Sequence, residues 1–374
     1  MSSNPLLDLQ RFGQSIWLDL LKRSLITSGD LKRLIDNDGL RGVTSNPKIF
    51  DDAIEGSADY DEDIRALAKT AGTVTDIYES LAVADIQSAA DVLRSVYDAT
   101  DGRDGYVSLE VNPHLAHDTE GTTAEARRLW KAVDRPNVFI KIPATLEGVP
   151  AIEQCLTEGI NINVTLLFSL DRYRAVAEAF VRAMEHRATN GQPLARIESV
   201  ASFFLSRVDV LVDSLLDRTA QAGNENAQRA NDLRGKAAIA SARMAYQIYK
   251  EIFQSDAFLN LAKKGARSQR VLWASTGTKD PKVSDVKYVD ALIGPETVNT
   301  MPLETLNAYR DHGKPAARIE EGLDEARAVL DELARIGIDM AAVAQQLEDE
   351  GVKKFNEPFD KLLKSLESKR AKIC

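Results

Sequence analysis

Short apolar runs separated by longer stretches of helical periodicity recur along most of this chain, and that alternation restricts what it can fold into. The runs that read as strands cover residues 15–20, 40–44, 106–111, 138–143, 160–168, 199–204, 270–274 and 288–293. Between them, segments such as 73–97 bring Val74, Ile77, Leu81, Ala84, Ile86 and Ala89 near one helical face. Residues 122–132 and 148–158 behave similarly. A strand followed by a crossover helix returns the chain to the same end of the sheet, so repetition of this unit demands parallel pairing. About eight units with no second cluster of strands predict an α/β fold, specifically a single (β/α)8 TIM barrel. Such a barrel uses ~250 residues, and the surplus of this 374-residue chain is expected in a helical insertion at about 208–265 and a helical C-terminal segment at about 316–374. In the latter, Ile319, Leu323, Ala326, Val329 and Leu330 are spaced for one face. Residues 1–374 are thus expected to form one domain, and neither addition carries a chemical motif.

Charge narrows the class further. Lys and Arg total 47 against 57 Asp and Glu, a formal net charge of −10. An acidic excess opposes non-specific nucleic-acid binding, which needs a basic footprint to release counterions. It also means that any anionic substrate must be drawn in by local cations against the average field. Hydrophobic residues at 44% and charged residues at 28% exclude a disordered or collagen-like chain. No apolar run reaches 18 residues, and Met1 to Arg11 has neither a basic nor an apolar leader, so no membrane association is expected. Two cysteines, Cys155 and Cys374, cannot supply a disulfide framework, and a reducing, cytoplasmic location fits them best.

Ionisable residues inside apolar barrel strands are costly, so the few present stand out. Lys141 sits in Val138-Phe139-Ile140-Lys141-Ile142-Pro143, flanked by apolar residues on both sides. Desolvation there disfavours the ammonium and frees an amine able to attack a carbonyl, although a lysine at a strand end can also snorkel to solvent or to a carboxylate. Asp19 follows Ile16-Trp17-Leu18, Glu110 follows Val107-Ser108-Leu109, and Asn163 and Thr165 alternate with Ile162, Val164 and Leu166. All lie late in their strands, where barrels of this kind gather catalytic groups from several strands. The turn Thr44-Ser45-Asn46-Pro47 would join them. A buried Lys and Glu held as a mere ion pair is the competing structural explanation.

The chemistry such a set permits is that of a Schiff base. A lysine amine condenses with a ketone, and the iminium acts as an electron sink that lets a neighbouring carbon–carbon bond break or form. One carboxylate must move protons while the carbinolamine dehydrates, and a second base must take the proton of the hydroxyl at the carbon being cleaved. Glu110 and Asp19 suit these roles, while the amides of Asn46 and Asn163 suit hydroxyls of a short polyol. His114 and His117 have no further His or Cys nearby, so no metal is expected.

The strings Val43-Thr44-Ser45-Asn46-Pro47, Leu109-Glu110-Val111 with His117-Asp118-Thr119, Ile140-Lys141-Ile142-Pro143-Ala144-Thr145 with Glu147-Gly148, and Gly159-Ile160-Asn161-Ile162-Asn163-Val164-Thr165-Leu166-Leu167-Phe168-Ser169 together resemble the transaldolases. The likeness runs in order from Asp19 to Arg207, and the helix around Gly235-Lys236-Ala237 is similar to the longer bacterial branch of that family. It implies a pentose phosphate pathway enzyme that moves a dihydroxyacetone unit from sedoheptulose 7-phosphate or fructose 6-phosphate to glyceraldehyde 3-phosphate or erythrose 4-phosphate. By the same resemblance Lys141 forms the Schiff base, Glu110 works through a water held with Thr165, and Asp19 acts on the C4 hydroxyl. Asn46, Asn163 and Ser202 would hold the three-carbon unit, with Phe204 packed near the adduct. Arg207, five residues beyond Ser202, would bind phosphate. The second phosphate cation departs from the pattern: the loop after the seventh strand offers Lys279, with Ser275 nearby, where the family has an arginine. No cofactor is implied, the partners are sugar phosphates, and homo-oligomerisation is left open. From the residues alone, an aldolase releasing free dihydroxyacetone and a non-catalytic sugar-phosphate binder compete with transfer.

Overall fold

The computed structural model describes residues 4–70, 72–223 and 225–373, so Met1 and Cys374 lie outside the described residues. Eight strands form a closed barrel in chain order: β1 (Gln14–Leu18), β2 (Gly42–Val43), β3 (Tyr106–Glu110), β4 (Val138–Pro143), β5 (Ile162–Leu167), β6 (Ser199–Phe204), β7 (Arg270–Ala274) and β8 (Thr297–Met301). Every pairing is parallel, and β8 closes on β1. The expected TIM barrel is therefore the architecture of the chain.

The interior is filled by side chains, as a barrel of this size requires. Trp17 stacks on Phe139, which stacks in turn on Tyr106 at 4.2 Å between ring centroids. Gly42 is needed opposite this cluster, since a Cβ there would lie 2.6 Å from the Trp17 ring. Below the aromatics, Arg270 donates to Asp104 at 2.9 Å and to the Ser15 hydroxyl at 2.8 Å, and Ser15 donates to Asp104 at 2.8 Å. This buried charge cluster plugs the end of the barrel opposite the late-strand residues.

Seven of the eight strands fall where the apolar runs place them; the eighth does not. Residues 288–293 were expected as a strand, but Lys287–Ala291 is helical and β8 follows it. The apolar residues of that run, Tyr288, Val289, Leu292 and Ile293, are spaced as one face of a helical turn, and all four are buried. The real strand, Thr297-Val298-Asn299-Thr300-Met301, is polar at three of five positions yet wholly buried, so its hydropathy hides it.

The additions are helical as expected. Ser206–Gln221, Ala227–Leu233, Ala237–Phe253 and Asp256–Ala262 separate β6 from β7, and Leu323–Arg335 and Met340–Ile373 follow the barrel. Helix starts are set locally: Asn46 caps Pro47–Glu55 by accepting from the Ile49 amide at 3.0 Å, with Pro47 in the first turn. The C-terminal helix, Met340–Ile373, packs along Pro47–Glu55 and also touches Ser206–Gln221, Val74–Ala99 and β5. No helix among the described residues is long and apolar enough to cross a membrane.

Removing one partner from the buried cluster should be severe. Asp104→Ala leaves the Arg270 guanidinium, 3% exposed as a residue, without its countercharge, and is expected to destabilise the chain by about 3–5 kcal/mol. Denaturant midpoints of the two proteins check this; equal midpoints would remove the cluster from any account of stability.

Candidate active site

Strand register brings the chemistry to one level. Glu110 of β3 is the Cα partner of Lys141 in β4, and Lys141 is the partner of Asn163 in β5. A parallel barrel turns alternate residues inward, so Ser108 and Glu110, Phe139 and Lys141, and Asn163 and Thr165 face the axis in successive layers. The upper layer opens into a cavity of about 190 Å³ lined by Asp19, Asn46, Lys141, Thr165, Ser202, Phe204, Arg207 and Lys279, among others. Glu110 and Asn163 adjoin this cavity through Lys141 and Ser202, at 3.7 Å and 2.7 Å respectively. All ten residues singled out in the sequence are thus gathered together.

The Lys141 amine donates to the Ser45 carbonyl at 3.1 Å and lies 3.7 Å from a Glu110 carboxylate oxygen. At that distance the pair interacts by charge rather than by a hydrogen bond. Both side chains are 6% exposed. Among the described residues, neither Glu110 oxygen has a hydrogen-bond partner, and the buried Thr165 hydroxyl also lacks one. Burial pushes the Glu110 carboxyl up to about 7; Lys141 pulls it down and Asp19 adds to the rise. A carboxyl poised there can both donate and accept protons near neutrality.

The remaining groups are held by their neighbours. Thr44 donates to the Asp19 carboxylate at 2.7 Å and shares a 2.7 Å hydrogen bond with Thr300. Because the Asn46 amide oxygen is engaged in the helix cap, its amide N–H groups are what it can offer the cavity. Asn163 donates to the Ser108 hydroxyl at 3.0 Å and accepts from Ser202 at 2.7 Å. That leaves the Ser202 oxygen as an acceptor. Arg207 lies over the Phe204 ring at 5.1 Å and has one buried guanidinium nitrogen without a partner among the described residues. Burial lowers its pKa, and the nearby Asp19, Glu350 and Glu110 oppose that shift. Lys279 is exposed at the rim, beside Ser275, whose hydroxyl meets that of Ser206 at 2.8 Å.

Three contributors were not assigned roles from sequence. Thr300 was lost with the misplaced eighth strand. Ser108 reads as an ordinary small strand residue, and only its alternation with Glu110 could have flagged it. Phe355 of the C-terminal helix also lines the cavity, its ring centroid 5.7 Å from the Lys141 amine. His114 and His117 instead meet Asp360 and Glu147, and among the described residues no cluster of His, Cys, Asp or Glu could hold a metal ion. Larger clefts exist, such as one of about 460 Å³ between Phe168–Asp171 and Leu330–Ala341. Its lining offers three aspartates and no amine, so size does not locate the chemistry.

A family model described as Transaldolase/Fructose-6-phosphate aldolase matches residues 16–366. Among similar proteins, Transaldolase 2 of a Nostoc species is 49% identical over 374 residues, covering 99% of this chain and 98% of its own. The transaldolase of Thiobacillus denitrificans is 50% identical over 356 residues, 95% of this chain and 98% of its own. That of Thermobifida fusca is 50% identical over 361 residues, 96% of each chain.

The raised Glu110 pKa has a stability consequence with a definite sign. Its native value, about 7, exceeds the ordinary 4.5, so between these limits the folded state binds more protons than the unfolded one. The carboxyl therefore withdraws stability as pH rises through that window, and the loss is complete above it. Glu110→Gln should gain stability relative to wild type between about pH 4.5 and 7 and hold a constant difference above. Melting temperatures of both proteins across pH 4.5–8.5 measure this, and a pH-independent difference would contradict the assigned burial.

Proposed function

The chain belongs to the Transaldolase/Fructose-6-phosphate aldolase family and is a transferase of the dihydroxyacetone group, and from that premise we propose that it does so through a Schiff base on Lys141. The observation that supports this most is the amine itself, buried on the cavity floor 3.7 Å from a carboxyl whose pKa is raised to about 7. The Lys141 amine attacks the C2 carbonyl of a ketose phosphate. Glu110 protonates the departing hydroxyl of the carbinolamine through a water held with Thr165, whose unpartnered hydroxyl faces the same space. Asp19, oriented by Thr44, takes the proton of the C4 hydroxyl. The C3–C4 bond breaks, its electron pair flows into the iminium, and an aldose phosphate departs. The enamine then attacks the aldehyde of the incoming acceptor while Asp19 returns the proton, and water releases the new ketose.

Binding roles follow from which atoms are free. Asn46 donates and Ser202 accepts at the hydroxyls of the three-carbon unit, with Asn163 fixing Ser202 in place. Phe204 supplies an apolar wall and supports Arg207. The guanidinium of Arg207 takes the phosphate, helped by Lys279 at the rim. Donors are sedoheptulose 7-phosphate or fructose 6-phosphate, and acceptors glyceraldehyde 3-phosphate or erythrose 4-phosphate. A cytoplasmic enzyme fits Cys155, a buried free thiol.

Borohydride reduction with fructose 6-phosphate should add one reduced dihydroxyacetone unit to the wild-type chain and none to Lys141→Ala. No wild-type adduct, or an equal one in the variant, would defeat the Schiff-base assignment. Asp19→Ala should still trap an adduct, because imine formation precedes C4 deprotonation, while turnover falls about 10²- to 10⁴-fold. Unchanged turnover would take Asp19 out of the reaction.

A further inference from the structure

The C-terminal helix carries a buried face made of Val343, Leu347, Gly351, Phe355, Phe359, Leu362 and Leu366. Most of that face is ordinary packing. Gly351 and Phe355 are different, because they sit one turn apart and meet the catalytic strand and the catalytic amine.

Gly351 rests on Leu166, where a Cβ at 351 would come within 2.9 Å of a leucine methyl. Leu166 itself has φ of +59°, a left-handed conformation unusual for a branched residue, and the β5–β6 register breaks between Val164 and Leu167. The strand thus yields immediately after Thr165, and the helix seats on the displaced residue by presenting no side chain there. One turn later the seat brings Phe355 over Lys141, its ring centroid 5.7 Å from the amine and the residue only 8% exposed. The ring belongs to the cavity lining and, among the described residues, is the one aromatic wall supplied from outside the barrel strands.

In the proposed cycle the enamine left after cleavage has two fates. An acceptor aldehyde can bond to its carbon, or that carbon can take a proton. In the second case a C–H bond forms at C3 and gives the iminium of dihydroxyacetone. Water then adds at C2, the C–N bond breaks, and free dihydroxyacetone leaves with the amine restored on Lys141. Transfer requires room for an aldose, whereas loss requires only access for solvent. We propose that Phe355 is a specificity-determining residue that favours transfer over loss by closing the solvent side of the cavity above the Lys141 adduct. A π face also tolerates the positive iminium where a polar group would bring water with it.

The proposal rests on the Schiff-base assignment of Lys141, and the two can fail separately. Wild type, Phe355→Leu and Phe355→Ala are each given fructose 6-phosphate with and without erythrose 4-phosphate, and free dihydroxyacetone and sedoheptulose 7-phosphate are quantified. Borohydride trapping is run on all three. The ratio of release to transfer is expected to rise about tenfold or more in Phe355→Ala, and less in Phe355→Leu, which keeps an apolar cover. Adducts should form in every chain. An unchanged ratio in a folded, adduct-forming Phe355→Leu and Phe355→Ala would overturn the role of Phe355 and leave Lys141 standing. A missing adduct in wild type would overturn the Schiff base itself. Phe355→Leu preserves most of the buried volume, so the comparison survives if the alanine variant does not fold.

Discussion

One buried pairing organises this molecule: an amine and a carboxyl 3.7 Å apart on adjacent strands, with neither carboxylate oxygen hydrogen-bonded among the described residues. Such a pair is unfavourable to bury unless geometry compensates it. The barrel holds it by register, placing Glu110 level with Lys141 and Lys141 level with Asn163. Around it, donors and acceptors are satisfied in sequence, from Ser202 to Asn163 to Ser108 and from Thr300 and Thr44 to Asp19. Among the described residues, both Glu110 oxygens, the Thr165 hydroxyl and one Arg207 nitrogen are left without partners where a substrate and its water would sit.

Much of this is legible in the amino-acid sequence. Ionisable residues late in apolar strands cannot be explained separately with ease, and Lys141, Glu110 and Asp19 share a single site. The fold followed from apolar runs wherever a strand is apolar on both faces. It failed at β8, where Thr297, Asn299 and Thr300 are buried polar residues and a neighbouring helical turn carries the apolar signal instead. Phe355 escaped for another reason. Periodicity identifies the buried face of a helix but not what covers it, and nothing local distinguishes Phe355, against a catalytic amine, from Phe359, edge-on to Tyr78. The single-residue break in β5 is equally silent in sequence, since Leu166 gives no hint of positive φ.

The acidic balance also takes a more specific form. With a net charge of −10, attraction of phosphates cannot come from the molecule as a whole. Two buried arginines differ in what surrounds them. Arg270, at one end of the barrel, donates through its two terminal nitrogens to Ser15, Asp104 and the Arg103 carbonyl and is paired with the Asp104 carboxylate. Arg207, at the other, is left with a buried nitrogen unpartnered and an aromatic ring for support. One arginine is thus held by a carboxylate, while the other lines the cavity at the opposite end of the barrel.

The seat of the C-terminal helix has a consequence for biosynthesis. Lys141 is synthesised before β8, and β1 finds its last neighbour only when β8 has been made. Phe355 follows later still. Throughout that interval the nascent protein holds an amine without its aromatic cover, in a barrel not yet closed. The order of translation therefore makes the ring that lies over the Lys141 amine later than every strand of the barrel it covers.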